Sequence, residues 1–456
     1  MKRSLLALSF VLSACQSSES PVASADTAAT LAGDTSEAPQ EDAAPSDDAA
    51  GSAEDASEAP DVGIDDAGPA EECPLPGPRP QAISEHAAVY DQARQRLVLF
   101  GGNPEFPVQC QGKNSYTAEV WAYRLDCNAW VQLTGGPSAR GRSGAALVPG
   151  AAGEPAAMYV WGGRFREKGV DGFTPYTMLS DLWRLDLATD EWSEVAVKGK
   201  VPPGRHSSIM AYDPKGHRLL LFGGSTNPSG ATFTPVNTTH AFDLATSEWS
   251  LLDTASNPDA RLYPAGAVDT DRNLFVVMQG GDENAFLGPF LGDVFGLDLE
   301  TLSWGRLHAG GNEAPDNRIW STTAYVPGLQ KFVLFGGHDD GALGNRNDLW
   351  VFDPAGQTWL AMQLNDAYNK PPLGVCDFPA DFATITEGTP ERRGAHVMVY
   401  APDRNRVYVH GGKTDCGLID DLWELDLETW TWTDLEPASI GESCLRYSDS
   451  CTGHCN

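Results

Sequence analysis

Six apolar runs of four residues recur along the chain, each just before a pair of glycines. The runs are Leu97–Phe100, Met158–Trp161, Leu219–Phe222, Phe275–Met278, Phe332–Phe335 and Val407–His410. None alternates apolar with polar positions, which predicts strands buried on both faces. The pairs are Gly101-Gly102, Gly162-Gly163, Gly223-Gly224, Gly280-Gly281, Gly336-Gly337 and Gly411-Gly412. Downstream of each pair lies a half-apolar segment closing on Trp130, Trp192, Trp249, Trp304, Trp359 or Trp432. The third unit predicts four strands: Ser208–Asp213, Arg218–Phe222, His240–Leu244 and the segment around Trp249. A Pro-Lys-Gly turn joins the first two,.

Six such units, spaced by about fifty to seventy residues, predict an all-β chain folded as a six-bladed β-propeller. Each closing Trp is expected to pack between blades, and the glycines to permit backbone approaches that a side chain blocks. Eleven residues before each Trp the units align on Glu119-Val120-Trp121, Asp181-Leu182-Trp183, Thr238-Thr239-His240, Asp293-Val294-Phe295, Asp348-Leu349-Trp350 and Asp421-Leu422-Trp423.

This grammar of Gly-Gly, an aromatic some twenty residues on, and then Trp resembles the kelch motif, across residues 83–436. The resemblance implies a kelch-type propeller, similar to the central propeller of the galactose-oxidising copper enzymes. Their Tyr and His copper ligands do not map onto this chain. Kelch units carry an Arg before the first strand; Arg140, Arg205, Arg261, Arg318 and Arg393 fit that place, with Ile83 in the first unit. The fourth unit has the polar Gln279 before Gly280, and the third lacks the acidic residue before its third strand.

The strand 1–2 and 3–4 turns are tight, whereas the 2–3 loops run to about 17 residues after Gly102 and Gly163. Some 30 residues separate Trp359 from Arg392. Long loops carry function, so the 2–3 side is the expected binding face. The five arginines, with Tyr263 and Trp320, are the expected ligand-binding set around the channel mouth. Arg suits bidentate capture of carboxylates, and exposed aromatics suit sugars or peptide anchors. The same repetition also fits arginines that brace their own blades. Further loop aromatics (Phe106, Phe165, Phe173, Tyr176, Phe233, Phe286, Phe290) fit either ligand contact or small cores beneath the loops.

The chain carries a formal charge of −32, of which residues 16–72 supply −16 without one Lys or Arg. The rest is also acidic, which argues against nucleic-acid partners. Residues 16–72 hold no aromatic and read as a disordered tether,. Lys2-Arg3, the apolar Leu5–Leu12 and Leu12-Ser13-Ala14-Cys15 resemble a bacterial lipoprotein signal with lipidation at Cys15,. The expected domains are a signal at 1–14, the lipidated Cys and linker at 15–72, the propeller at 73–436 and a Cys-rich tail at 437–456. The eight other cysteines predict disulfides in an oxidising compartment,. Cys73 is expected to clasp the tail, at Cys444, and Cys376 to pair with Cys416.

No GxSxG, HExxH, P-loop or CxxC pattern occurs, so no catalytic residue, metal or cofactor is expected,. The reading is a monomeric, exported lipoprotein on a bacterial membrane, the outer membrane by the Gln16 that follows Cys15. Its partners are the membrane and a protein or glycan of the cell envelope. The alternative is a sugar-acting enzyme with its site at the channel mouth, of the carbohydrate oxidase type or similar to the six-bladed sialate mutarotases.

Overall fold

The computed structural model describes residues 73, 77–105, 115–151, 154–167, 174–229, 232–284, 288–339, 344–369, 382–415 and 417–439. These residues form six antiparallel sheets, each with four successive strands in meander order, and contain no helix. Blade 1 comprises Ala87–Asp91, Arg96–Phe100, Val120–Arg124 and Ala129–Gln132. Blade 6 comprises Val397–Ala401, Arg406–His410, Leu422–Asp426 and Thr431–Glu436. Exposure rises outward. Arg96–Phe100 is buried throughout, while the outer strand Glu191–Glu194 of blade 2 is mostly exposed. In blade 3 the incoming chain, Lys198–Gly199, adds a parallel strand to the outer edge at Glu248–Leu251.

Six apolar clusters occupy the six seams between blades. One of them joins Leu97, Leu99 and Trp121 of blade 1 to Ala401, Tyr408 and Leu422 of blade 6. Each seam repeats one contact: the closing Trp of a blade meets the residue before the glycine pair of the preceding blade. Trp192 stacks on Phe100 at 4.9 Å, Trp304 on Phe222 at 5.1 Å and Trp432 on Phe335 at 5.1 Å. Trp130 meets His410 at 5.2 Å, so the imidazole fills an aromatic's place at the closing seam. Trp359 shares its cluster with Met278.

That last contact corrects the reading of the fourth unit. Met278 holds the aromatic position, and Gln279 takes the place of the first glycine, with φ of 59° against 68° at Gly101. The structural pair there is Gln279-Gly280, not Gly280-Gly281. The second member must be small: a Cβ on Gly102 would lie 2.8 Å from the Ser84 carbonyl.

The ring closes without a shared blade. In every blade the second glycine donates its N–H to the carbonyl of the next blade's brace position. These bonds run from Gly102 to Arg140 at 2.8 Å and finally from Gly412 to Ile83 at 2.8 Å. Arg79 adds a clasp, bonding Asp420 through Nε at 3.1 Å and the Pro437 carbonyl through Nη2 at 2.9 Å. Cys73 does not clasp the tail. It forms a disulfide with Cys127 in the 3–4 turn of blade 1, Cα to Cα 5.5 Å, because the incoming segment passes that turn. Cys15, Cys376, Cys416 and Cys444 lie outside the described residues.

Candidate functional site

Two residues beyond each brace position, the backbone turns left-handed. The six residues are Glu85, Arg142, Ser207, Tyr263, Trp320 and Ala395, with φ between 54° and 62°. Each blade thereby delivers one side chain to the axis. Backbone bonds link neighbours around this ring: Arg142 N to Glu85 O, Ser207 N to Arg142 O, Tyr263 N to Ser207 O and Glu85 N to Ala395 O, each at 2.9 Å. Ala395 N to Trp320 O follows at 3.0 Å, and Tyr263 and Trp320 meet edge to face at 5.6 Å.

A second tier lies directly above. The residue after each structural glycine pair bridges the segment just before the ring: Asn103 to Ser84, Arg164 to Gly141, Ser225 to His206, Gly281 to Leu262, His338 to Ile319 and Lys413 to Gly394. These positions open the 2–3 loops, so the second tier belongs to the 2–3 face. A cavity of about 140 Å³ lies at the ring and the residues that follow it into the first strands, lined by Glu85, Arg142, Ser208, Tyr263, Trp320, Ser321 and His396 among others.

Its electrostatics are lopsided. Glu85 accepts from Arg142 Nη2 at 2.7 Å and Lys413 Nζ at 3.0 Å, and pairs with Arg164 at 3.5 Å. Burial alone would raise its carboxyl; the charges of Arg142, Lys413 and Arg164 overcome that and hold it well below the usual carboxylate range. Burial lowers the Lys413 amine, with Glu85 opposing the shift. The cations also stack on aromatic rings. Arg142 lies 4.8 Å from the Tyr263 centroid, Lys413 4.9 Å from Trp320, and Arg164 4.1 Å from Tyr176. Arg142 Nε and Nη1 and the Ser208 and Ser321 hydroxyls are buried without a hydrogen-bond partner among the described residues. Buried donors of this kind carry a desolvation cost that an acceptor from outside would remove. The site can therefore take one further anionic acceptor beside an apolar aromatic wall.

Of the expected set, Tyr263 and Trp320 line this cavity and the five arginines do not. Arg140, Arg205, Arg261, Arg318 and Arg393 are at most 2% exposed. Four of them grip the acid of their own blade: Arg140 with Asp181 at 2.8 Å, Arg261 with Asp293 at 2.7 Å, Arg318 with Asp348 at 2.6 Å and Arg393 with Asp421 at 2.5 Å. Each also bonds the carbonyl at the first position of the glycine pair, as Arg318 does to Gly336 at 3.0 Å. They are braces because a guanidinium in that place is enclosed by its own blade's loop. Phe233 and Phe290 lie with Tyr263 in a small core on the binding face; Phe106, Phe173 and Phe286 lie outside the described residues.

Reading the sequence for single columns missed Glu85, Arg142, Arg164 and Lys413. Their signal was positional: two residues past the brace, or one past the glycine pair. Among the described residues, the grouping with metal-ligand spacing is Cys73, Asp126 and Cys127, whose sulfurs are joined to each other.

Comparison with known proteins gives a consistent picture. The KLHDC2/KLHL20/DRC7 kelch-repeats domain matches residues 151–376, and the kelch motif matches residues 401–439. Kelch domain-containing protein 10 of Rattus norvegicus is 26% identical over 328 residues, 69% of this chain and 71% of that protein. The Xenopus tropicalis protein of the same name is 28% identical over 293 residues, 62% of this chain and 63% of its own length. In Drosophila melanogaster, the leucine-zipper-like transcriptional regulator 1 homolog is 25% identical, and the match spans 25% of its length.

Proposed function

The chain is a kelch-repeat β-propeller of six blades, and we propose that it is a protein-interaction module whose axial pocket anchors a carboxylate of its partner. The observation that carries this reading is the count of charges around Glu85, in the axial ring and the tier beside it. One carboxylate, Glu85, faces Arg142, Arg164 and Lys413, and two Arg142 donors have no partner among the described residues. Arg is suited to bidentate carboxylate recognition, and a flanking Tyr263–Trp320 wall fits an apolar neighbour on the same peptide. Placement at the bacterial cell envelope, through the signal and lipidated Cys15, belongs to the same proposal, with a glycan as the second class of ligand.

The test presents the full chain, oxidised, to arrayed peptides bearing Asp, Glu or a free C-terminus, and to a glycan array. Capture of carboxylate peptides, lost in an Arg142→Gln, Trp320→Ala double variant, supports the reading. Capture of uncharged peptides or neutral glycans by both forms would overturn it, and mutarotase assays would then follow. Anchoring is tested separately by fatty-acid labelling in a bacterial host. Label in the wild type that Cys15→Ser loses is expected, and equal label in both forms counts against anchoring.

A further inference from the structure

The six blades act as internal controls for one another, and blade 3 breaks their pattern in an instructive way. In blades 2, 5 and 6 one carboxylate oxygen is shared by two donors. Asp181 Oδ2 accepts from Arg140 Nη2 at 2.8 Å and Trp183 Nε1 at 2.7 Å. Asp348 Oδ2 accepts from Arg318 Nη2 at 2.9 Å and Trp350 Nε1 at 2.8 Å. Asp421 Oδ2 accepts from Arg393 Nη2 at 2.7 Å and Trp423 Nε1 at 2.8 Å.

Blade 3 keeps the arginine, has an imidazole in place of the indole, and lacks the oxygen. Thr238 stands at the acidic position, and His240 stands where the indole would be. Arg205 is 2% exposed, and no acid pairs with it among the described residues. Its Nε bonds the Pro203 carbonyl at 3.2 Å; its Nη1 bonds the Gly223 carbonyl and Thr238 Oγ1, both at 3.2 Å. Its Nη2 makes no hydrogen bond to a described residue. His240 is 5% exposed, and its buried Nδ1 has no partner among the described residues. Thr238 is half-buried, so solvent reaches the place from the loop side.

We propose that Arg205, Thr238 and His240 form a binding site for one small anion, a halide or a monocarboxylate such as formate. The anion takes the position that Oδ2 holds in the other blades, between guanidinium and ring. It supplies the countercharge that Thr238 does not, and a buried cation is costly without one. The electrostatics agree. Burial draws the Arg205 guanidinium down to about 10, and burial followed by the Arg205 charge draws His240 down to about 4. The two groups therefore share one field, and no acid among the described residues pairs with Arg205.

The test is thermal unfolding of the full chain at constant ionic strength, with gluconate replaced stepwise by chloride or formate. Ligand that binds the folded state raises Tm in a saturable way. A rise of about 2–4 °C is expected once the anion is near ten times its dissociation constant. Thr238→Asp, which builds the carboxylate in, should have a higher Tm in gluconate and no further response to either anion. Thr238→Asn, of the same shape and uncharged, should keep the wild-type response. A wild type indifferent to the exchange would overturn the proposal, as would a Thr238→Asp chain that responds like the wild type. Loss of the response in Thr238→Asn would also count against it.

Discussion

Left-handed backbone at six non-glycine residues is what brings Glu85, Arg142, Tyr263 and Trp320 to one axis. Such a conformation costs of the order of 1 kcal/mol or more at each, and five backbone hydrogen bonds between ring neighbours at 2.9–3.0 Å help hold it in place. The same inner layer stores neutral histidines. His86 and His410 touch through Nε2 and Nδ1 at 3.1 Å, and His396 Nε2 meets Thr322 Oγ1 at 2.6 Å. Burial first, and neighbouring charge second, lowers His86, His206 and His396 well below their usual range and His410 to about 3. A lowered folded value means that the unfolded chain binds the extra proton. Stability is then complete above about pH 6.5 and falls as acid is added, by up to about 1.4 kcal/mol per pH unit for each histidine. Urea unfolding should show a lower midpoint at pH 5.5 than at pH 7.5. An unchanged midpoint would mean that these rings are not held neutral by the fold.

Within a blade, the brace carries more of the architecture than the glycine pair does. Arg318 and Asp348 are both almost fully buried and doubly bonded at 2.6 and 2.9 Å. Arg318→Ala should therefore cost about 3–5 kcal/mol, since it strands a buried carboxylate. Arg205→Ala should cost less, because no acid is left behind in blade 3. Equal losses in denaturant titrations of the two variants would contradict the role given to the aspartates.

The blades were legible in the sequence because burial writes itself into composition. Strand 2 reads as an unbroken apolar run such as Arg218–Phe222, and the closing Trp marks strand 4. The fourth unit was misaligned by one residue because Gln279 tolerates the left-handed place that glycine holds elsewhere. The axial site was less legible. Glu85, Arg142 and Lys413 share no residue type, and only the repeat's geometry gathers them. The conspicuous column of arginines pointed to function, and proved to be what holds the function's scaffold together.

The whole ring is closed by repetition: the contacts between blades 6 and 1 are those between any other pair, with Arg79 and Asp420 added. The disulfide therefore tethers the incoming segment to blade 1 rather than joining the ends of the ring. It spans 54 residues of chain, and a loop of that length contributes about 4 kcal/mol in the chain-entropy account. Cys73→Ser should lower stability by that amount while leaving the axial pocket intact, measured by unfolding and by peptide capture on the same sample. A loss of capture at full folding would instead place the incoming segment in the site.

The most direct measurement is a calorimetric titration of the full chain with its best captured acidic peptide and with the same peptide carrying the neutral amide. The excess of cations around Glu85 predicts binding that weakens at least tenfold with the amide, and a comparable loss for the acidic peptide when Arg142 becomes Gln. Equal affinity for both peptides, unaffected by Arg142→Gln, would contradict a carboxylate anchor at the axis.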